Sequence, residues 1–144
     1  MAGNVVFRGP IERQPRTIGK PVTGALLPGS IVEETATNLV ALTTAVAKRP
    51  LVLGFNDYSG QDLVTAYVTG ASGIAFEPLP NDVYNVRMAA ATYTWMQPLT
   101  VGASGRLTAA TAASIVVGWY ADTPGTVTAD ALRDVIWANS YTAD

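Results

Sequence analysis

Pro98-Leu-Thr-Val-Gly-Ala-Ser-Gly-Arg-Leu-Thr-Ala109, followed by Ile115-Val-Val-Gly-Trp-Tyr120, is the stretch that decides the fold. Leu99 and Val101 alternate with Thr100, and after the Ser-Gly pair Leu107 and Ala109 alternate with Arg106 and Thr108. Period-two alternation on both sides of a turn pair reads as a β-hairpin with one buried face. Gly105 supplies the positive φ that such a turn needs, and Gly102 relaxes the strand before it. The run Ile115 to Tyr120 is apolar throughout and β-branched at its start. That composition suits a strand covered on both faces.

Working outward, the same short-strand rhythm recurs. Tyr84, Val86 and Met88 alternate with Asn85 and Arg87, and Thr92 to Trp95 leads into the hairpin. Earlier, Ser30 to Thr35, Asn38 to Leu42, Leu51 to Phe55 and Ile74 to Phe76 read as strands separated by turn chemistry. Leu63 to Thr69 reads as a strand or a helical turn, and Thr43 to Arg49 as a helical turn or a loop. Near the C-terminus, Thr128 to Asp134 is expected to start a short helix capped by Thr128, ahead of a last strand at Val135-Ile-Trp137. Strands about ten residues apart point to an all-β domain, a small barrel or sandwich. A faint internal echo links Pro28-Gly-Ser-Ile-Val, Leu39-Val-Ala-Leu-Thr and Val52-Leu-Gly54 to Pro98-Leu-Thr-Val, Leu107-Thr-Ala-Ala and Val117-Gly118, with an offset drifting from 70 to 64 residues.

Residues 1–22 read differently. Pro10, Pro15 and Pro21 recur among glycines, which rules out a useful helix and favours extended geometry. Arg8, Arg13, Arg16 and Lys20 against Glu12 give a balance of +3, while the remaining 122 residues carry five cations and ten carboxylates, a balance of −5. Two readings stand for this segment. One is a solvated tail. The other is an extended arm that docks its Val5-Val6-Phe7 knot and its arginines on a neighbouring molecule. The expected division is therefore an arm over 1–22 and a β-domain over 23–144.

Composition narrows the function. The 144 residues contain no cysteine and no histidine, which removes thiolate metal sites and the usual general base together. Charged residues are 14% of the chain, against about 25% in an average domain. Alanine, threonine and valine supply 55 residues. So neutral a surface is expected to be covered in part by a permanent assembly. No stretch of ~20 continuous apolar residues occurs, and the first residues lack the pattern of a signal peptide, so a soluble, cytoplasmically made protein with no membrane partner is expected.

No catalytic reading survives inspection. Gly70-Ala-Ser-Gly73 and Gly102-Ala-Ser-Gly105 are fragments of a nucleophile elbow that Ile74 and Arg106 interrupt, with no histidine to activate either serine. Glu33 and Glu34 are adjacent on a strand and project to opposite faces. Asp57 and Asp62 do not match a calcium-loop spacing. The cations near the start are few and only Phe7 interleaves with them, so nucleic acid is not an expected partner. No cofactor or metal ligand set is expected.

Val83 to Tyr93, Met96 to Ala110 and Val116 to Trp119 together resemble the head decoration (capsid cement) proteins of tailed bacteriophages. Gly24 to Glu34 looks like that family's first strand, and the likeness spans roughly residues 17–140. It departs at Asp130 to Asp134, where the family has a plain strand. The resemblance implies a compact β-tulip or barrel domain that trimerises on the outer capsid surface. There it would hold neighbouring major capsid subunits together, without enzymatic activity. On the docking-arm reading Val5, Val6, Phe7, Arg8, Arg13 and Arg16 contact the partner, while the hairpin reading makes Gly102 and Gly105 a structural turn. A tail- or fibre-associated virion domain is the competing class, and a carbohydrate-binding module the third. The last needs exposed aromatics, whereas Trp95, Trp119 and Trp137 fall in expected strands, where burial is the rule.

Overall fold

The structure, a computed structural model, describes residues 6–56 and 61–144. The deciding stretch forms the expected hairpin. Strand β9 (Pro98–Val101) pairs with β10 (Leu107–Ala109), Leu107 opposite Val101 and Ala109 opposite Leu99. Strand β11 (Ile115–Tyr120) lies on the other side of β9, with Gly118 opposite Leu99. Then come β13 (Leu132–Thr142), β7 (Val83–Arg87) and β1 (Phe7–Gly9), giving a six-stranded sheet in the order β1-β7-β13-β11-β9-β10. A five-stranded sheet, in the order β2-β6-β5-β3-β4, is built from β2 (Arg16–Pro21), β3 (Ile31–Glu34), β4 (Leu39–Ala41), β5 (Leu51–Leu53) and β6 (Ser72–Glu77). Strands β8 (Ala91–Tyr93) and β12 (Gly125–Val127) pair by themselves. The described residues contain no α-helix. Both large sheets have open ends, and they pack as a sandwich, so the protein is all-β.

The main core fills the space between the sheets. Tyr84, Val86, Leu99, Val101, Leu107, Val135 and Trp137 from one sheet meet Ile31, Val52 and Phe76 from the other. An aromatic chain crosses the interface: Phe7 lies 6.2 Å from Phe76 and 5.4 Å from Tyr84, and Tyr84 lies 6.0 Å from Trp137. The intervening residues Val32, Leu51, Leu53 and Ala75 face the opposite side of the five-stranded sheet, as strand periodicity demands. There they are covered by Tyr67, whose hydroxyl donates to the Gly54 carbonyl at 2.7 Å.

The faint echo in the sequence has a topological counterpart. Residues 16–77 and 83–142 each contain five antiparallel strands arranged in space as first, fifth, fourth, second, third. The first set is β2-β6-β5-β3-β4 and the second is β7-β13-β11-β9-β10; β8 and β12 stand outside the pattern. Gly54 and Gly118, paired in the echo, each face the fifth strand of their set. A Cβ on Gly54 would sit 2.9 Å from the Phe76 ring, and one on Gly118 would sit 2.6 Å from Val135 Cγ1. Close approach of the fourth and fifth strands therefore demands glycine in both halves.

Several expectations are corrected. Described residues 6–21 are no separate arm: β1 and β2 are edge strands of the two sheets. Val6 is 2% exposed, and its carbonyl accepts the Asn85 N–H at 2.7 Å. The boundary at 22/23 has no counterpart either, because Val22 is fully buried and bridges Leu39. Pro21 ends an edge strand, where a missing N–H costs nothing, so proline density here marked an edge and its approach. No helix forms over Thr128 to Asp134: Thr128 to Ala131 is a turn, and Leu132 to Asp134 already belong to β13. Leu63 to Thr69 is a loop with turns and no strand. Trp95 is 61% exposed in the turn before β9, while Trp137 is buried and Trp119 half-buried.

Candidate interaction surface

The residues expected to meet a partner through the N-terminal segment are largely engaged within the chain. Val5 lies outside the described residues. Val6 and Phe7 belong to the main core or pack against it. Arg8 Nε is 2.9 Å from Asp134 Oδ1, tying β1 to β13. Arg13 Nη2 donates to the Asp82 carboxylate at 2.8 Å and to the Pro80 carbonyl at 2.9 Å. Asp82 is fully buried, and it also accepts the Leu79 N–H at 3.0 Å. Arg16 Nη1 reaches Glu77 at 3.3 Å across the β2–β6 ladder. These pairs anchor edge strands to their sheets. Burial of the Tyr84 ring beside Asp82 pushes its hydroxyl pKa far up, so that hydroxyl stays a neutral donor.

Gly105 has the positive φ that the hairpin reading calls for, and it does more. Its φ is +72°, and Ser104 beside it has φ +58°. A Cβ on Gly105 would sit 2.7 Å from the Ile31 carbonyl oxygen, so the hairpin turn presses on β3 of the other sheet. The Gly105 N–H donates to the Leu42 carbonyl at 3.0 Å, sealing that contact. The Gly102 N–H donates to the Arg106 carbonyl at 2.8 Å, closing the loop of the hairpin.

The carboxylates weighed for chemistry serve other ends. Glu33 pairs with Lys48, and Glu34 with Lys20 and Arg49. Hydrogen bonds from Thr65 and Val64 hold the Asp62 carboxyl below the usual range, and Oδ1 caps their two N–H groups at 2.8 and 3.0 Å. Asp57 lies outside the described residues.

Sequence reasoning missed Arg87. It is 6% exposed, yet its Nε donates to the Pro28 carbonyl at 2.9 Å, Nη1 to the Asp130 carbonyl at 2.8 Å, and Nη2 to the Leu63 carbonyl. One buried cation thus ties loops of the first five-strand set to the second. Burial lowers its pKa, opposed by the nearby Asp130 carboxylate. Local alternation had put Arg87 on a polar strand face, and nothing local announces that a distant loop covers that face.

Among the groups left open to a partner are several large apolar side chains. Large exposed side chains sit at loop tips: Ile11 between β1 and β2, Val46 between β4 and β5, Val64 and Val68 between β5 and β6, and Trp95 with Met96 before β9. No family model matches the chain, and no curated protein matches it.

Proposed function

We propose that this chain is a structural virion protein that binds the outer surface of a phage capsid. It acts there as a trimer and stabilises contacts between major capsid subunits. The observation that carries this reading is the position of the stretches that resemble the cement proteins. Val83 to Tyr93, Met96 to Ala110 and Val116 to Trp119 supply β7, β9, β10 and most of β11, four members of one sheet whose inner face forms the main core. The likeness therefore covers a packing unit rather than scattered turns.

The physics of such a role suits this surface. A protein that binds only the assembled shell stabilises it by mass action. Three copies engaging several capsid subunits at once gain avidity from contacts that are individually weak. The exposed apolar loop tips, with Trp95 the largest, are the groups that would gain most by being covered. The attachment surface lies on these loops, because the side chains of Val6 and Phe7 are already spent in the fold.

Co-sedimentation with decoration-free capsids tests the reading. Saturable pelleting and a raised capsid melting temperature are expected, and both should weaken in Trp95→Ser and in Val64→Ser/Val68→Ser variants that melt like the parent. Protein that stays in the supernatant at saturating capsid would overturn it.

A further inference from the structure

Residues directly opposite one another in an antiparallel ladder project from the same face. Trp119 stands opposite Pro98 on one side and Ile136 on the other, and Ile136 stands opposite Val83. Their chain neighbours Leu99, Tyr120, Val135 and Tyr84 are buried in the main core. Val83, Ile136, Trp119 and Pro98 therefore form one apolar row across four strands on the outer face of the six-stranded sheet, each half or fully exposed. Tyr141, 41% exposed, flanks Trp119 with ring centroids 6.2 Å apart and planes tilted by 34°. The Trp119 Nε1–H donates to the Tyr141 hydroxyl at 3.2 Å. That bond fixes the two rings and occupies the indole donor, so their faces are what they offer a ligand.

Along β11 and the later part of β13 the chain carries no charge of its own. Residues 107–121 and 135–143 contain no Asp, Glu, Lys or Arg, in a chain that has 20 such residues elsewhere. Exposed hydroxyl and amide side chains take their place: Asn139, Ser140 and Thr142 border Tyr141 on β13. An aromatic pair with neutral hydrogen-bonding groups at its margin matches one ligand chemistry well. A pyranose presents a C–H face to stack on a ring and uncharged hydroxyls to meet amides and hydroxyls. Lys48 and Arg49, which border Asn139 and Ser140, are already paired with Glu33 and with Glu34 and Glu77, so an anionic polymer would have to displace those carboxylates.

We propose that the Trp119–Tyr141 pair on the outer face of the six-stranded sheet is a binding platform for an extended neutral glycan, held by ring stacking. The proposal does not rest on the capsid reading, since it uses side chains of the sheet face rather than the loop tips named above. It also removes the ground on which sugar binding looked unfavourable in the sequence, namely burial of the tryptophans.

The test is titration of the intact protein with neutral hexasaccharides (cellohexaose, xylohexaose and mannohexaose) and with heparin as the charged control. It is read by calorimetry and tryptophan fluorescence. At least one neutral hexaose should bind saturably and heparin should not compete. Trp119→Ala and Tyr141→Ala should each weaken binding about tenfold or more, the scale of one lost stacking contact. Trp119→Tyr should retain most of the affinity, and Trp95→Ala all of it, with melting curves confirming that each variant folds. Absence of binding by every neutral hexaose up to about 10 mM would overturn the proposal. So would equal affinity in Trp119→Ala, or a Trp119→Ala variant that instead loses self-association, which would make the face an interface between copies.

Discussion

Replacing Gly105 by alanine probes the point where the hairpin turn meets the other sheet. The residue has φ +72°, and the added Cβ would sit 2.7 Å from the Ile31 carbonyl oxygen and 3.4 Å from the Ile31 nitrogen. Left-handed geometry alone costs an L-residue about 1–2 kcal/mol. The clash is with backbone, so the turn must retreat. Retreat weakens the bond from the Gly105 N–H to the Leu42 carbonyl and crowds the one from the Leu42 N–H to the Ile31 carbonyl, both 3.0 Å long. Each contributes about 1 kcal/mol, so the total loss is about 3 kcal/mol. In a domain near this size that lowers Tm by about 6–12 °C. Gly70→Ala is the control, since Gly70 has φ +88° and no atom within 4 Å of the added Cβ. It should cost only the conformational part, about 1–2 kcal/mol. The assay is urea unfolding followed by tryptophan fluorescence, with parallel thermal melts. Equal losses for the two variants would refute the close approach of the turn to β3.

Arg87→Met leaves the Pro28, Leu63 and Asp130 carbonyls without their shared donor, and should cost about 3 kcal/mol or more; a melt within 2 °C of the parent, less than about 1 kcal/mol, would show that these bonds are dispensable. Asp130 accepts two bonds from Arg106, at 2.7 and 2.9 Å, and the Arg106 hydrogen bond holds its carboxyl below the ordinary 3.8. The stability this contributes is fully present above that ordinary value and is lost as pH falls through the lower folded value. Asp130→Asn, tolerated at φ +66°, should therefore be less stable than the parent at neutral pH, with the gap closing in acid and shrinking with salt; a gap independent of pH would contradict the pairing. Deleting residues 1–21 removes β1, β2 and the Val6 and Phe7 side chains, so the remainder should lose cooperative unfolding; a sharp melt would restore the separate arm.

The parts of the fold that were legible are those whose signals are local. The alternation of Leu99, Val101, Leu107 and Ala109 places the β9–β10 hairpin, and the unbroken apolar run after Ser114 places β11 inside its sheet. The echo between Pro28 to Gly54 and Pro98 to Gly118 was visible as well, though its meaning needed the strand order. What escaped depends on distant chain. Pro10, Pro15 and Pro21 suggested an arm or a tail because partners for β1 and β2 lie more than 50 residues away, on β7 and β6. Thr128 to Asp134 suggested a helix, but the demand of β11 and β7 for a strand between them overrides that propensity from Leu132 on. The Trp119–Tyr141 platform was illegible because a register shift between Val116 and Gly118 sets which β13 residues face β11. Arg87 was illegible because its acceptors are backbone carbonyls, which leave no mark on the sequence.

Cryo-electron microscopy of capsids assembled with and without the protein tests the central claim most directly. The account predicts added density only on the outer surface, at three-fold or quasi-three-fold positions, into which three copies of the two-sheet sandwich fit. Loop tips bearing Trp95, Val64 or Val68 should meet neighbouring major capsid subunits. Density from isolated single copies would contradict the trimer, and capsids that carry none of the protein at saturation would contradict the decoration role itself.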